Sequence, residues 1–152
     1  MRAGTCCAGL AARAVVALGN PDRGDDGVAH RILSALPHAE GVEFLVSLKT
    51  GLDLALSLLG RRRVLVIDAD PRRAPGEVVL FPLVGAEGGS YRHGLGLAEA
   101  LELLRALGAD VPEVWVLAIG VEPDQPFRRG LSPEVVEALP RAQEVAEAWL
   151  RS

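Results

Sequence analysis

The stretch VVALGNPDRGDDGVAHRIL, residues 15–33, decides how the chain is read. It opens as an apolar run and breaks at Gly19-Asn20-Pro21, three residues that favour turns. A buried strand is expected over 14–19, and a short helix over 27–36, stopped by Pro37. Between them stand two adjacent acids, Asp25 and Asp26. An acid at a helix N-terminus caps free amides and meets the positive end of the helix dipole. Two acids suggest a division of labour: Asp25 steadies the helix mouth, and Asp26 stays at the strand rim, free to act.

The rest of the 152 residues fits an ordinary globular domain, 49% hydrophobic and 24% charged. Aromatics are only 4%, so the core must be aliphatic. The formal charge is −4 with no basic block, which argues against binding nucleic acid through its phosphates. Lys49 is the only lysine. Cys6 and Cys7 are adjacent, a spacing that suits neither an unstrained disulfide nor zinc. Residues 1–13 read as a tail without a signal peptide. No apolar run approaches the roughly 20 residues of a membrane helix. A cytoplasmic protein of one domain, 1–152, is expected.

Strands are expected over 42–46, 63–68, 77–81 and 113–119. The strand RVLVID, 63–68, is continuously apolar and so central. A helix over 50–59 begins at Thr50, with Asp53 at capping-box spacing and Leu52, Ala55, Leu56 and Leu59 on one face. A polar, Gly-rich loop spans 84–94. The helix over 95–107 turns Leu97, Leu101 and Leu104 inward and Glu99, Glu102 and Arg105 outward. Ser132-Pro133 starts a last helical region, with Ser as N-cap, and Pro140 divides it before Leu150. Alternating strands and helices give an α/β fold: a doubly wound, three-layer αβα sheet covered on both faces.

Such sheets bind ligands outside the carboxyl ends of their strands. The topology can bring Asp26, after the first strand, Asp68, closing the third, and His93, in the Gly-rich loop, to one rim. Two carboxylates and an imidazole suit a divalent metal, and two carboxylates alone suit acid–base work. Each residue also has an ordinary structural role: a cap for Asp25 or Asp26, loop-amide bonding for Asp68, a surface imidazole for His93. His30 and His38 read as surface residues, and the arginines 61–63 as a solvated turn. Asp70, Arg72 and Arg73 border the rim as loop residues. Dinucleotide, phosphate-loop and nucleophile-elbow motifs are absent from the sequence.

Taken together the motifs resemble the hydrogenase maturation proteases. That family opens with a strand and G-N-x-x-x-x-D-[DE]-G, matched by Gly19 to Gly27 as GNPDRGDDG. Its strand-end acid is matched by Asp68 in VLVIDAD. Its Ser, then His, then Leu-rich helix is matched by SYRHGLGLAEALELL, with Ser90 and His93. A late apolar strand with G-x-x-P and an L-S-P helix start is matched by Gly120, Pro123, Leu131 and Ser132.

The resemblance implies an aspartyl-type endopeptidase that trims the C-terminal extension of a [NiFe]-hydrogenase large-subunit precursor. It implies a twisted, mostly parallel five-stranded sheet. It also implies Asp26, Asp68 and His93 as catalytic residues and ligands of nickel, which the precursor supplies, with no organic cofactor. One segment departs from the pattern. Where members carry a D-G-G-T-like stretch, this chain has Val46-Ser47-Leu48-Lys49-Thr50-Gly51, and only the glycine survives. Two other classes fit the same rim: a nickel-dependent module that binds the precursor without cutting it, and a metal-dependent hydrolase of small molecules.

Overall fold

The computed structural model describes residues 11–83, 96–124 and 130–152. Five strands form one sheet: β1 (Arg13–Leu18), β2 (Val42–Ser47), β3 (Arg63–Asp70), β4 (Val78–Pro82) and β5 (Glu113–Gly120). Their order is β2-β1-β3-β5-β4. β2, β1, β3 and β5 run parallel, and β4 joins β5 antiparallel at the far edge. Parallel strands need crossovers, and these are the helices α1 (Val28–Ala35), α2 (Gly51–Leu58) and α3 (Leu97–Ala106). α4 (Pro133–Arg151) closes the chain.

The period-two alternation of the strands sorts the core into two layers. On one face Val15, Ala17, Leu65, Ile67, Leu117 and Ile119 meet Val28, Ile32 and Leu33 of α1 and Val135, Ala142, Ala146 and Trp149 of α4. On the other, Val16, Val64, Val66 and Val116 meet Leu54, Ala55 and Leu58 of α2 and Leu97 and Leu101 of α3. β3 is buried from Val64 to Asp70, as a central strand covered on both sides must be. Each fully buried Val, Leu or Ile there contributes roughly 1.5–3 kcal/mol by leaving water. The three-layer αβα architecture read from the alternation of elements is the one observed.

Several local expectations are overturned. β3 runs on to Asp70, so Asp68 lies two residues inside the strand, opposite Ala118 of β5. Arg13, read as tail, begins β1 and donates to the carbonyl of Leu150 at 2.9 Å. α2 buries Leu54, Ala55 and Leu58, whereas Leu52 and Leu56 are exposed, and Thr50 makes no side-chain cap. The run LDLALSLL offers leucines on more than one side of the helix, so its inward face is ambiguous in the sequence. Pro140 does not divide α4. Pro140 and Val136, whose carbonyl loses its helical partner, both lie on the exposed side, where water can satisfy that carbonyl, and the buried face carries the helix through.

Arg61 is no solvated turn residue. Only 7% exposed, it donates to Glu43 of β2 at 2.6 Å and to the carbonyl of Ser57 at 3.0 Å. α3 keeps its expected inward leucines, and Glu99 accepts from the amide of Gly96 at 3.1 Å at its start.

The end of β5 has no room for a side chain. A Cβ on Gly120 would lie 1.9 Å from the carbonyl oxygen of Ala74. Gly120 also exchanges backbone hydrogen bonds with Gly76 and Glu77. Gly120→Ala is therefore expected to destabilise the protein by about 1–3 kcal/mol or more, measured by urea unfolding. An unchanged midpoint would contradict this packing.

Candidate active site

The four parallel strands all point their carboxyl ends to one rim, which carries the turn after β1. Gly19 starts that turn at φ +104°, a conformation glycine adopts without strain. A Cβ on Gly19 would sit 2.2 Å from the carbonyl oxygen of Asp26, so the two ends of the turn press together. Asn20 organises the inside. Its carbonyl accepts from the amide of Arg23 at 3.0 Å, and its side-chain oxygen accepts from the amide of Asp22 at 2.9 Å. A 3-10 turn over Gly24–Gly27 then carries both acids into α1.

Asp26 behaves as expected of a rim residue. It is half buried, and its Oδ2 accepts from the amide of Asn20 at 2.8 Å. The bond fixes the carboxylate within its own turn. Asp26 lines two cavities. One, about 160 Å³, is shared with Arg23, Ala69, Pro71, Val121, Glu122 and Pro123. The other, about 240 Å³, lies between the ends of β1 and β2 and includes Asn20, Arg23, Ser47, Leu48, Lys49 and Thr50.

Asp25 does something the sequence did not suggest. It does not cap its own helix; α1 starts from Gly27 without a side-chain cap. Asp25 is 1% exposed and reaches the start of α4. Its Oδ1 accepts from the amide of Ser132 at 2.6 Å and its Oδ2 from the Ser132 hydroxyl at 2.7 Å. Ser132, expected to cap α4 with its own oxygen, makes no such cap and gives that hydroxyl to Asp25 instead. A buried carboxylate requires such partners. No local pattern signals a bond across 107 residues.

Asp68 is fully buried, on the α2–α3 face of β3. Its Oδ1 accepts from the amide of Ala69 at 2.8 Å. The 3-10 turn carrying Asp26 packs against β3, and Ala69 lines the smaller Asp26 cavity. Asp26 and the strand bearing Asp68 thus come together at the rim. His93 lies outside the described residues, and among those residues no three potential metal-binding side chains cluster.

The neighbours read as loop or surface residues are more engaged than expected. Asp70 is buried at the end of β3 and accepts from Arg73 Nε at 3.1 Å and from the amide of Arg72 at 3.0 Å, which makes it a strut of the β3–β4 turn. His30 is half buried, and its Nε2–H donates to the carbonyl of Gly19 at 2.8 Å, bracing the turn from α1. His38 is exposed, as read.

A carboxylate held at the carboxyl rim of an open parallel sheet defines an α/β protein of the kind that binds its ligand outside the strand ends. Comparison makes this specific. The hydrogenase maturation protease family profile matches residues 40–149. The fold is similar to the hydrogenase maturating endopeptidase HybD of Escherichia coli, at 26% identity and TM-score 0.74, covering 91% of this chain and 92% of that one. It is also similar to the [NiFe] hydrogenase maturation protease HybD of Thermococcus kodakarensis, at 30% identity and TM-score 0.63, covering 91% and 98%. A further endopeptidase from Escherichia coli aligns at 28% identity and TM-score 0.69, covering 91% of each chain. No curated protein matches the sequence at a significant level. The chain belongs to the hydrogenase maturation protease family and is an endopeptidase of hydrogenase maturation.

The Asp25–Ser132 pair can be tested apart from activity. Ser132→Ala removes one hydrogen bond to a buried carboxylate and should lower stability by about 1.5–3 kcal/mol in urea unfolding at neutral pH. Asp25→Ala should cost more, because it also strands the Ser132 amide. Equal stability of all three proteins would show that the pair holds nothing.

Proposed function

We propose that this protein removes the C-terminal extension from a nickel-loaded [NiFe]-hydrogenase large-subunit precursor, in the cytoplasm, with Asp26, Asp68 and His93 receiving the nickel that the precursor carries. The observation that carries this reading is the anchored carboxylate of Asp26. One of its oxygens is fixed by the Asn20 amide, and Oδ1 accepts no hydrogen bond among the described residues. It stands in two rim cavities, on a turn packed against the strand of Asp68.

The nickel belongs to the substrate. The donor set suits a visiting divalent ion: two carboxylates and an imidazole bind it through O and N, and three protein ligands leave positions open for ligands from the precursor. The softer thiolates come from the precursor, so the metal orients the substrate at the rim. A precursor lacking nickel then has nothing to complete the site, and cleavage depends on loading. Asp26 would offer that nickel a half-buried carboxylate and Asp68 a fully buried one. Hydrolysis adds one water across the scissile peptide bond, giving a new carboxylate on the large subunit and a free amine on the released peptide.

Intact-mass measurement of the precursor after incubation with wild type, Asp26→Ala, Asp68→Ala and His93→Ala tests the assignment. Wild type should remove the extension, and each variant should be slower by roughly 10²-fold or more while keeping its circular dichroism spectrum. A folded His93→Ala variant that processes at the wild-type rate would remove His93 from the site.

A further inference from the structure

Among the described residues β2 is an outer strand of the sheet, paired only with β1. The free side of an edge strand presents unpaired N–H and C=O groups, and proteins usually blunt such edges with charge, proline or a bulge. β2 reads VEFLVS, with no proline and one charge, Glu43, which is engaged by Arg61. Its end is apolar and open to solvent. Val46 is 60% exposed and Leu48 76%, and Leu52 follows at 46% in α2. Adjacent exposed apolar side chains of this kind mark binding surfaces.

The surface runs directly into the candidate site. Val46 lines a cavity of about 480 Å³ together with Pro21, Gly27, His30, Leu33 and Leu131. The next four residues, Ser47 to Thr50, line the cavity of about 240 Å³ that contains Asp26. The free edge of β2 thus ends between a cavity with a largely apolar wall and the cavity of the anchored carboxylate. A strand added to this edge would send successive side chains to opposite faces of the sheet, one set toward each side.

We infer that the β2 edge docks the precursor's C-terminal extension as an added strand, by main-chain pairing to β2 and apolar contact with Val46 and Leu48. This rests on the proposed proteolysis, which puts the scissile bond at the rim beside Asp26. β2 runs toward the rim, so the chain downstream of that bond leads away along β2 in the opposite direction. The extension therefore pairs antiparallel to β2. The six residues of β2 match about six residues of extension, roughly 20 Å of extended chain. The segment 46–49, where the chain departs from the D-G-G-T-like pattern, then becomes the part that selects the substrate.

The test compares wild type with the double variant Val46→Glu, Leu48→Glu. Both positions are exposed, so the fold tolerates the charges. Each enzyme is given two nickel-loaded precursors, one with the full extension and one cut to two residues beyond the scissile bond. In wild type the full extension should be processed with the higher kcat/KM. In the variant the ratio between the two substrates should fall at least tenfold, through KM. An unchanged ratio overturns the docking. So does sedimentation showing that wild type self-associates through this edge and that the variant is a monomer. If wild type cuts neither precursor, the proteolytic reading has failed, and docking is read separately from a fluorescent synthetic peptide of the extension sequence. Anisotropy lost in the variant supports the β2 edge, and equal binding by both proteins overturns it.

Discussion

The buried carboxylate of Asp25 ties the turn after β1 to the first residues of the last helix. With that bond made, the turn has a fixed floor. Gly19 and Asp26 press together, Asn20 holds the Asp26 carboxylate, and His30 braces the same turn from α1. Each of these contacts is short-range, whereas the Asp25–Ser132 pair ties the turn to α4. Asp25 thus acts on the site through the position of its neighbour. The two adjacent acids that stand out in the sequence serve one end: one is spent on the fold so that the other can be presented at the rim.

Chain direction does the rest. Four parallel strands deliver their following loops to one edge: Asp26 lies in the turn after β1, and the neighbouring β3 and β5 carry Asp68 and Gly120 toward the same edge. Gly120 lets the β3–β4 turn close against the end of β5, where Asp70, Arg72 and Arg73 hold it. The rim is built from backbone turns locked by buried acids. A site on such a rim needs this scaffold, because its side chains must be held in place by the turns that carry them.

The layered fold was legible because it follows from periodicity. The alternation of apolar strands and amphipathic helices names the layers, and the continuous apolar run before Asp68 names the central strand. Asp26 was legible as a rim residue for the same reason: it follows a strand in a parallel sheet. What escaped was long-range or ambiguous. The partner of Asp25 lies 107 residues away, and that of Arg61 is on another strand. Arg61 therefore looked like part of a solvated charge run. The inward face of α2 is ambiguous in the sequence because its leucines satisfy more than one helical face. Pro140 was read as a break because propensity is local, whereas the buried face of α4 is not. The expectation for His93 falls outside the described residues and rests on the family pattern.

The exposed apolar end of β2 gains meaning only beside the rim it leads to. In the proposed function the rim completes its coordination with a metal brought by the precursor, so that proteolysis reads the state of the substrate. The most direct measurement is the intact mass of the large-subunit precursor after incubation with wild-type protein, once loaded with nickel and once free of it. The account predicts loss of the C-terminal peptide from the loaded precursor alone. Equal cleavage of both would contradict it, because the carboxylates would then be cutting without the metal that is held to place the substrate.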